Sequence, residues 1–303
     1  ILSGLRNSLT FNELNTFKAT SANLSALLIP ALPSKIKNLV VLPTGRLSII
    51  PFETLFYQKP KDDESIGAFP YLLKKYSVRY EFSAALILQK SKNASVIAES
   101  IFLCAPVTFE KDHLTALPGT ESEVKEISEL FASRNLRTEV HTRNEADEKL
   151  LKTTALKDFN FLHFATHGIV DETSPELSRI YVQSSSHNED GHLYAGEIYN
   201  MELNANLVTL SACQTGLGKI WKGEGVIGLS RALVYAGSQN VMVSFWSVAD
   251  QSTATLMKLF YRRLLESSSR EFSAALREAK LTLIRENKYA SPYYWAPFIL
   301  IGF

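Results

Sequence analysis

The sequence predicts an α/β domain built on a parallel sheet. Three observations carry that prediction. From about residue 96 onward, compact apolar runs alternate with helical patterns, the arrangement of parallel strands joined by crossover helices. Two of those runs, FNFLHFATH and NLVTLSAC, read as buried strands. Both stop at small, polar turns, one at His167-Gly168 and the other at Cys213-Gln214-Thr215-Gly216. In sheets of this class reactive groups gather outside the carboxyl ends of the strands.

The elements follow in order. Residues 1 to 30 carry Leu5, Leu9, Leu14 and Phe17 at helical spacing and end at Pro30 and Pro33. NLVVLP (38 to 43) is a strand, followed by a Thr44-Gly45 turn; SVRYEF (77 to 82) alternates like another. LQKSKNASV (89 to 97) turns polar and marks a boundary, so the chain divides into 1–95 and 96–303. ESIFLCA (99 to 105) opens the second part. Pro118-Gly119 turns the chain, and Thr120 with Glu123 reads as a capping box for the helix ESEVKEISELF. LRTEVHT (136 to 142) is a strand. NEADEKLLKTTALK is a helix with Asn144 or Asp147 near its start. FNFLHFATH, SRIYVQ, NLVTLSAC, NVMVSFWSV and PFILIGF supply the remaining strands. The long helices run from about Val226 to Tyr235, with Gly237 as a C-cap, from Gln251 to Leu265, and from Glu271 to Arg285.

Bulk properties exclude several classes. A chain of 303 residues, 46% hydrophobic and 21% charged, has the composition of a globular protein with one large core or two smaller ones. Its 32 basic and 31 acidic residues leave a net charge of +1, with no Lys/Arg stripe for nucleic acid. No apolar stretch is long enough to span a bilayer. Two cysteines, Cys104 and Cys213, make no disulfide framework and no zinc-ligand spacing, which fits a reducing, cytoplasmic compartment. No GxGxxG or P-loop occurs, and no cofactor is implied. The N-terminus lacks a signal peptide and an initiator Met, as expected of a piece of a longer protein.

His167 and Cys213 stand 46 residues apart. A Cys in an Ala-Cys-x-Gly setting with its His about 50 residues upstream is the caspase-type arrangement; here one extra residue precedes the glycine. A buried cysteine is commonly a small hydrophobe, but the polar turn after Cys213 and the paired histidine string favour a nucleophile. His167 would assist its deprotonation and then protonate the leaving amine. The N–H groups of Gly168 and Cys213 would form the oxyanion hole. Neither Asp171 nor Glu172 is tied to His167, and a backbone carbonyl is the alternative orienting group. Cys104, mid-strand, and His163, four residues before His167, read as structural; His113, His141, His187 and His192 have no motif around them. Asp250 follows a strand and opens a helix. It is either an N-cap or the acidic floor of a pocket for Arg or Lys before the scissile bond. Trp246 is a wall of that pocket or core filling, and Glu224 a helix-start residue. The polar loops 169–177, 184–193 and 215–225 flank these residues and suit a site ordered by a partner.

The segments NLVVLPTGRLSIIPFETL, ALPGTESEVKEI, LHFATHG, LYAGEIYNMEL, LSACQTG, GEGVIGLSRALVYAGSQNVMVSFWSVAD and YYWAPFILIGF resemble, in order, the blocks of the CHAT domain. This caspase-like cysteine peptidase module is often found behind tetratricopeptide repeats. The resemblance implies a caspase-like fold: a central, mostly parallel sheet with helices on both faces, preceded by a smaller, degenerate caspase-like region in residues 1–95. It implies a Cys/His dyad at Cys213 and His167. In the related separases an acidic residue in a Trp-x-Val-x-Asp string contacts a basic substrate residue; that position is Asp250. It further implies regulated proteolysis of one or few proteins, often in bacterial defence or programmed cell death, switched on by an upstream sensor or repeat region or by a regulatory complex. Direct nucleic-acid or membrane binding is not expected. The competing expectation is a CHAT-fold interaction or signalling module with little or no proteolysis; a small-molecule thiol hydrolase or acyltransferase would use the same chemistry.

Overall fold

The computed structural model describes residues 1–90, 100–171, 173–185, 189–211, 225–246 and 250–302. It opens with α1 (Leu2–Thr10) and α2 (Leu14–Leu28). Leu5, Leu9 and Phe17 are buried, whereas Leu14 is exposed. Phe17 meets Phe56 edge-on at 5.9 Å, so α2 packs on the segment that follows it. Then come β1 (Asn38–Val41), 3-10 turns at Gly45–Ile49 and Phe52–Thr54, α3 (Leu72–Lys75), β2 (Ser77–Tyr80) and α4 (Ala84–Lys90). The second part runs β3 (Ser100–Ala105), α5 (Pro118–Ala132), β4 (Arg137–Thr142), α6 (Glu148–Thr153), β5 (Phe161–Phe164), β6 (Gly168–Ile169), β7 (Arg179–Tyr181), β8 (His192–Tyr194) and α7 (Ala195–Ile198). It ends with β9 (Leu207–Leu210), α8 (Gly225–Tyr235), β10 (Asn240–Ser244), α9 (Asp250–Glu266), α10 (Phe272–Arg285), α11 (Pro292–Trp295) and β11 (Phe298–Gly302).

Eight strands form one sheet in the order β1-β2-β11-β10-β9-β5-β3-β4. Its pairs are parallel except β10 with β11. The sheet therefore has two blocks of opposite direction, meeting at β10 and β11. The central strands β3, β5, β9 and β10 are buried at every position, as coverage on both faces requires. The edge strands β1 and β4 keep exposed positions. Phe131 of α5, Tyr261 of α9 and Phe272 of α10 all set their rings against Phe161 of β5. α8 packs on β10 and against α7. Among the described residues no helix is long and apolar enough to cross a membrane.

Two local expectations are corrected. SRIYVQ does not join the parallel series: β7 sits between β6 and β8 in a separate, antiparallel three-stranded sheet. A parallel pair needs a crossover of about a dozen residues or more, usually a helix. Between β6 and β7 the chain has only a 3-10 turn at Pro175–Leu177. Nor do Thr120 and Glu123 form a capping box. The helix starts at Pro118 behind Leu117, Thr120 Oγ1 donates to the Leu117 carbonyl at 2.7 Å, and Glu123 lies a turn further in. Asp147 does cap α6, accepting from the Leu150 N–H at 2.6 Å.

The boundary expected near residue 95 falls outside the described residues. On either side of it the strands share the large sheet: β2 pairs with β11, and Arg79 Nη1 donates to the Gly302 carbonyl at 2.6 Å. A buried ion pair joins the same two regions. Lys280 Nζ of α10 lies 3.0 Å from Glu53 Oε1, each side chain 1% exposed. The other Glu53 oxygen accepts from Tyr80 Oη at 2.5 Å, and Tyr80 Oη accepts from the Phe52 N–H at 2.7 Å. Burial pulls the Lys280 ammonium below its ordinary pKa, while Glu53 opposes that shift.

Removing one partner of a buried pair strands the other charge. Lys280→Met is therefore expected to cost about 3–5 kcal/mol in urea denaturation. Adding Glu53→Gln to that variant should recover part of the loss. A double variant no more stable than Lys280→Met would show that the stranded carboxylate is not the cause.

Candidate active site

The site is assembled by the pairing of β5 with β9. The register runs from Phe161↔Leu207 to Phe164↔Leu210, in parallel. The ladder continues past both ends, with Ser211 N–H donating to the Phe164 carbonyl and Ala165 N–H to that of Cys104, each at 2.9 Å. The two strands thus leave the sheet side by side at its carboxyl edge. His167 is the third residue after Phe164; Cys213 is the third after Leu210 in sequence and lies outside the described residues.

Below this edge the strands are cross-linked by side chains. His163 of β5 and Thr209 of β9 are register partners. Both reach the hydroxyl of Tyr261 on α9, His163 Nδ1 at 3.2 Å and Thr209 Oγ1 at 3.0 Å. His163 Nε2 lies 2.8 Å from Glu123 Oε1 of α5. All four side chains are buried. Burial keeps the Tyr261 hydroxyl protonated well above the ordinary tyrosine range. His163 therefore serves as a structural link, and Glu123 is its partner. Sequence reasoning missed that partner because its spacing from Thr120 imitated a cap.

His167 is 3% exposed and held on two sides. Nε2 lies 2.7 Å from the carbonyl oxygen of Thr115, and the ring meets Phe109 edge-on with centroids 4.6 Å apart. A carbonyl only accepts, so Nε2 carries a hydrogen; in the neutral ring Nδ1 then holds the lone pair. The orienting group is thus a backbone carbonyl rather than Asp171, whose carboxylate accepts from the Thr173 and Ser174 N–H groups instead.

Thr115 and Phe109 lie on the loop after β3. Gln183 Nε2 donates to the Thr108 carbonyl at 2.5 Å, and His192 Nε2 meets Asp112 Oδ1 at 2.7 Å. Leu117 N–H donates to the Val107 carbonyl at 2.8 Å. Val107 has φ +67°, a left-handed conformation a β-branched residue rarely takes. Such a residue persists where its surroundings over-determine it.

Gly168 opens β6 opposite Ile180. Tyr181 N–H donates to the His167 carbonyl at 3.0 Å, so His167 and Tyr181 form the hydrogen-bonded rung and Gly168 the next, non-bonded one. The Gly168 N–H consequently points away from β7. Trp246 follows β10, is 2% exposed and donates its indole N–H to the Tyr293 carbonyl at 3.0 Å. Asp250 is the first residue of α9. Glu172, His187 and Glu224 lie outside the described residues. Cys104 is fully buried, and burial, reinforced by Asp147, pushes its thiol up to about 12. Among the described residues no group of three or more His, Cys, Asp or Glu side chains is placed to hold a metal.

The family profile of the CHAT domain matches residues 18–303. The chain belongs to the CHAT domain family. Tetratricopeptide repeat protein 28 of Homo sapiens is 28% identical to it over 223 residues, which is 61% of this chain and 8% of that protein. The Mus musculus protein of the same name is 26% identical over the same length. The chain thus spans 8% of the curated relatives it matches. Among solved structures, Saccharomyces cerevisiae separase in its complex with securin covers 85% of this chain with a TM-score of 0.54 and 15% identity, over 15% of that chain. The complex of Porphyromonas gingivalis RgpB pro- and mature domains covers 95% with a TM-score of 0.53 and 8% identity, over 68% of that chain. The Arg-specific cysteine proteinase gingipain R covers 95% with a TM-score of 0.53 and 10% identity, over 67% of that chain. The fold is therefore caspase-like, with the mostly parallel central sheet described above.

Two outcomes test this geometry. With its thiol up to about 12 and no exposure, Cys104 is protonated and shielded at pH 7.5. Native protein treated with iodoacetamide should leave Cys104 unmodified in peptide mass spectra, and denatured protein should not. Glu123→Ala leaves the buried His163 Nε2 without its acceptor and should lower stability by about 1–3 kcal/mol; an unchanged Tm would remove the cross-link from the account.

Proposed function

We propose that this CHAT domain is a cysteine endopeptidase with Cys213 as nucleophile and His167 as its base and acid. The observation that supports this best is the hydrogen bond from His167 Nε2 to the Thr115 carbonyl. It directs the lone pair to Nδ1 on a ring that follows β5, the strand paired with β9. The Cys213 thiol gives its proton to Nδ1, and the thiolate attacks the substrate carbonyl. The Gly168 N–H, turned out of the β6–β7 ladder, and the Cys213 N–H stabilise the oxyanion. Nδ1–H then protonates the leaving amine, and water, deprotonated by the same nitrogen, cleaves the thioester to regenerate the thiol.

Asp250, at the start of α9, is proposed to bind Arg or Lys before the scissile bond. Trp246 supports that region from within, with its indole N–H committed to Tyr293. The protein partners are a substrate and an upstream repeat or sensor region, or a regulatory complex, that switches the enzyme on. The tetratricopeptide-repeat names of the curated relatives support that attachment. A reducing cytoplasm suits a free catalytic thiol, and defence or programmed cell death is the proposed setting.

The test compares new protein N-termini in cells making the activated full chain, with and without Cys213→Ala. Cut sites that vanish in the variant, at unchanged Tm, identify the protease, its substrates and the residue before the cut. No Cys213-dependent site would instead favour an interaction module. Asp250→Ala should reduce cleavage after Arg or Lys selectively in the same assay; a loss of about 1 kcal/mol in stability with unchanged cleavage would make Asp250 an N-cap only.

A further inference from the structure

Among the described residues, one guanidinium beside the site is ion-paired with no carboxylate. Arg179 lies on β7, opposite Ile169 of β6 and Tyr194 of β8. Residues opposite one another share a face of the sheet, as do residues two apart along a strand. Arg179, Tyr181, Tyr194, His192 and Ile169 therefore stand on one face, with Gly168, Ile180 and Leu193 on the other. The His167–Tyr181 rung puts the imidazole on the same face as Arg179. The cluster of Phe109, Leu117, Tyr181, Leu114 and Ile169 bears this out, because Phe109 also touches the His167 ring. Diagonal neighbours on such a face lie about 7–8 Å apart, so Arg179 is one cross-strand step from the proposed base.

The guanidinium is fixed before any ligand arrives. Its Cζ lies 5.3 Å from the Tyr181 ring centroid and 5.6 Å from that of Tyr194. Nη1 donates to the Leu177 carbonyl at 3.3 Å. Nε is buried with no hydrogen-bond partner. Among the described residues no carboxylate is ion-paired with Arg179. The acid that feels its charge, Asp171, has its carboxylate turned to two backbone N–H groups. Burying an N–H without a partner is unfavourable, and the planar fork of arginine is matched by a carboxylate binding two of its nitrogens at once.

We infer that Arg179 binds an aspartate or glutamate side chain of the protein substrate, a few residues from the scissile bond, through the amino groups of its guanidinium. This inference rests on the peptidase reading above and deepens it. Along the carboxyl edge the order is β10, β9, β5, and the β6–β7–β8 sheet continues directly from the end of β5. Asp250 follows β10, and Arg179 lies in the sheet that follows β5, so the proposed basic and acidic contacts sit on separate elements. A substrate engaging both presents a basic residue to one and an acidic residue to the other.

The test uses fluorescein-labelled decapeptides with one central Arg and a single Glu walked through the flanking positions, each paired with its Gln counterpart. Binding to the full chain carrying Cys213→Ala is read by anisotropy, and cleavage by the chain with Cys213 intact is read in parallel. At one or two positions Glu should bind about tenfold or more tighter than Gln. Adding Arg179→Ala should reduce that ratio to near unity while Gln-peptide binding stays unchanged. Arg179→Lys, which keeps the charge without the fork, should retain part of the preference and covers the case in which the alanine variant fails to fold. No Glu preference at any position, or a preference that survives Arg179→Ala, overturns the inference. Cleavage without acidic preference rejects Arg179 and leaves the peptidase reading standing. An Arg179-dependent preference in binding, with no peptide cut by the intact protein, supports the acidic site and rejects the peptidase reading.

Discussion

The carboxyl edge depends on one register, that of β5 against β9. The side-chain period of a strand is two, so a one-residue slip would exchange the faces of every residue on it. Here the register is held by more than apolar packing. His163 and Thr209 face each other across the pair, and both bond the one hydroxyl of Tyr261. A slip would leave His163, Thr209, Tyr261 and Glu123 buried without their partners, and buried unpaired polar groups are far more costly than misplaced aliphatic ones. The network therefore selects one alignment out of several that apolar strands alone would accept. It also ties β5 and β9 to α5 and α9, the helix that begins at Asp250.

Above that fixed platform, orientation comes from the backbone. His167 takes its hydrogen-bond partner from Thr115 rather than from a carboxylate. A carbonyl cannot change protonation, so the tautomer it imposes holds wherever the loop holds. The loop in turn is anchored at Thr108 by Gln183 and at Asp112 by His192, both from the antiparallel sheet side. The three-stranded sheet is thus the frame of the site: it carries Gly168, anchors the loop that orients His167, and presents Arg179 on the same face.

What the sequence made legible follows from what side chains encode. Two-sided apolar runs identified β3, β5, β9 and β10, and the small polar residues after β5 marked the edge. A mainly local motif such as the Asp147 cap was readable because its partner is three residues away. Non-local polar chemistry was not. Glu123 spaced three residues from Thr120 has the pattern of a cap, and its real partner lies 40 residues on in β5. The role of Thr115 belongs to its carbonyl, which every residue has, so no residue type announces it. The pattern of SRIYVQ fits a core strand. That it pairs antiparallel in a second sheet is decided by the lack of a crossover helix before it. Arg179 is silent in the sequence for a related reason: an arginine in a strand is unremarkable until its neighbours are known to offer two aromatic rings and, among the described residues, no carboxylate ion-paired with it.

The first 90 residues are tied to this edge through the large sheet. β1 and β2 continue the large sheet through β11, which turns back on β10, the strand before Asp250. The Glu53–Lys280 pair adds a contact whose rupture is costly. Separating it exposes neither charge to water unless α10 also lifts from the 3-10 turn at Phe52–Thr54, because both groups are 1% exposed. A buried pair of this kind resists small relative shifts better than an apolar contact of equal area, which loses energy only in proportion to the surface uncovered. The N-terminal block and α10 are therefore expected to move as one. The N-terminal block meets the edge through the β2–β11–β10 strands and through α10 and its packing on α9.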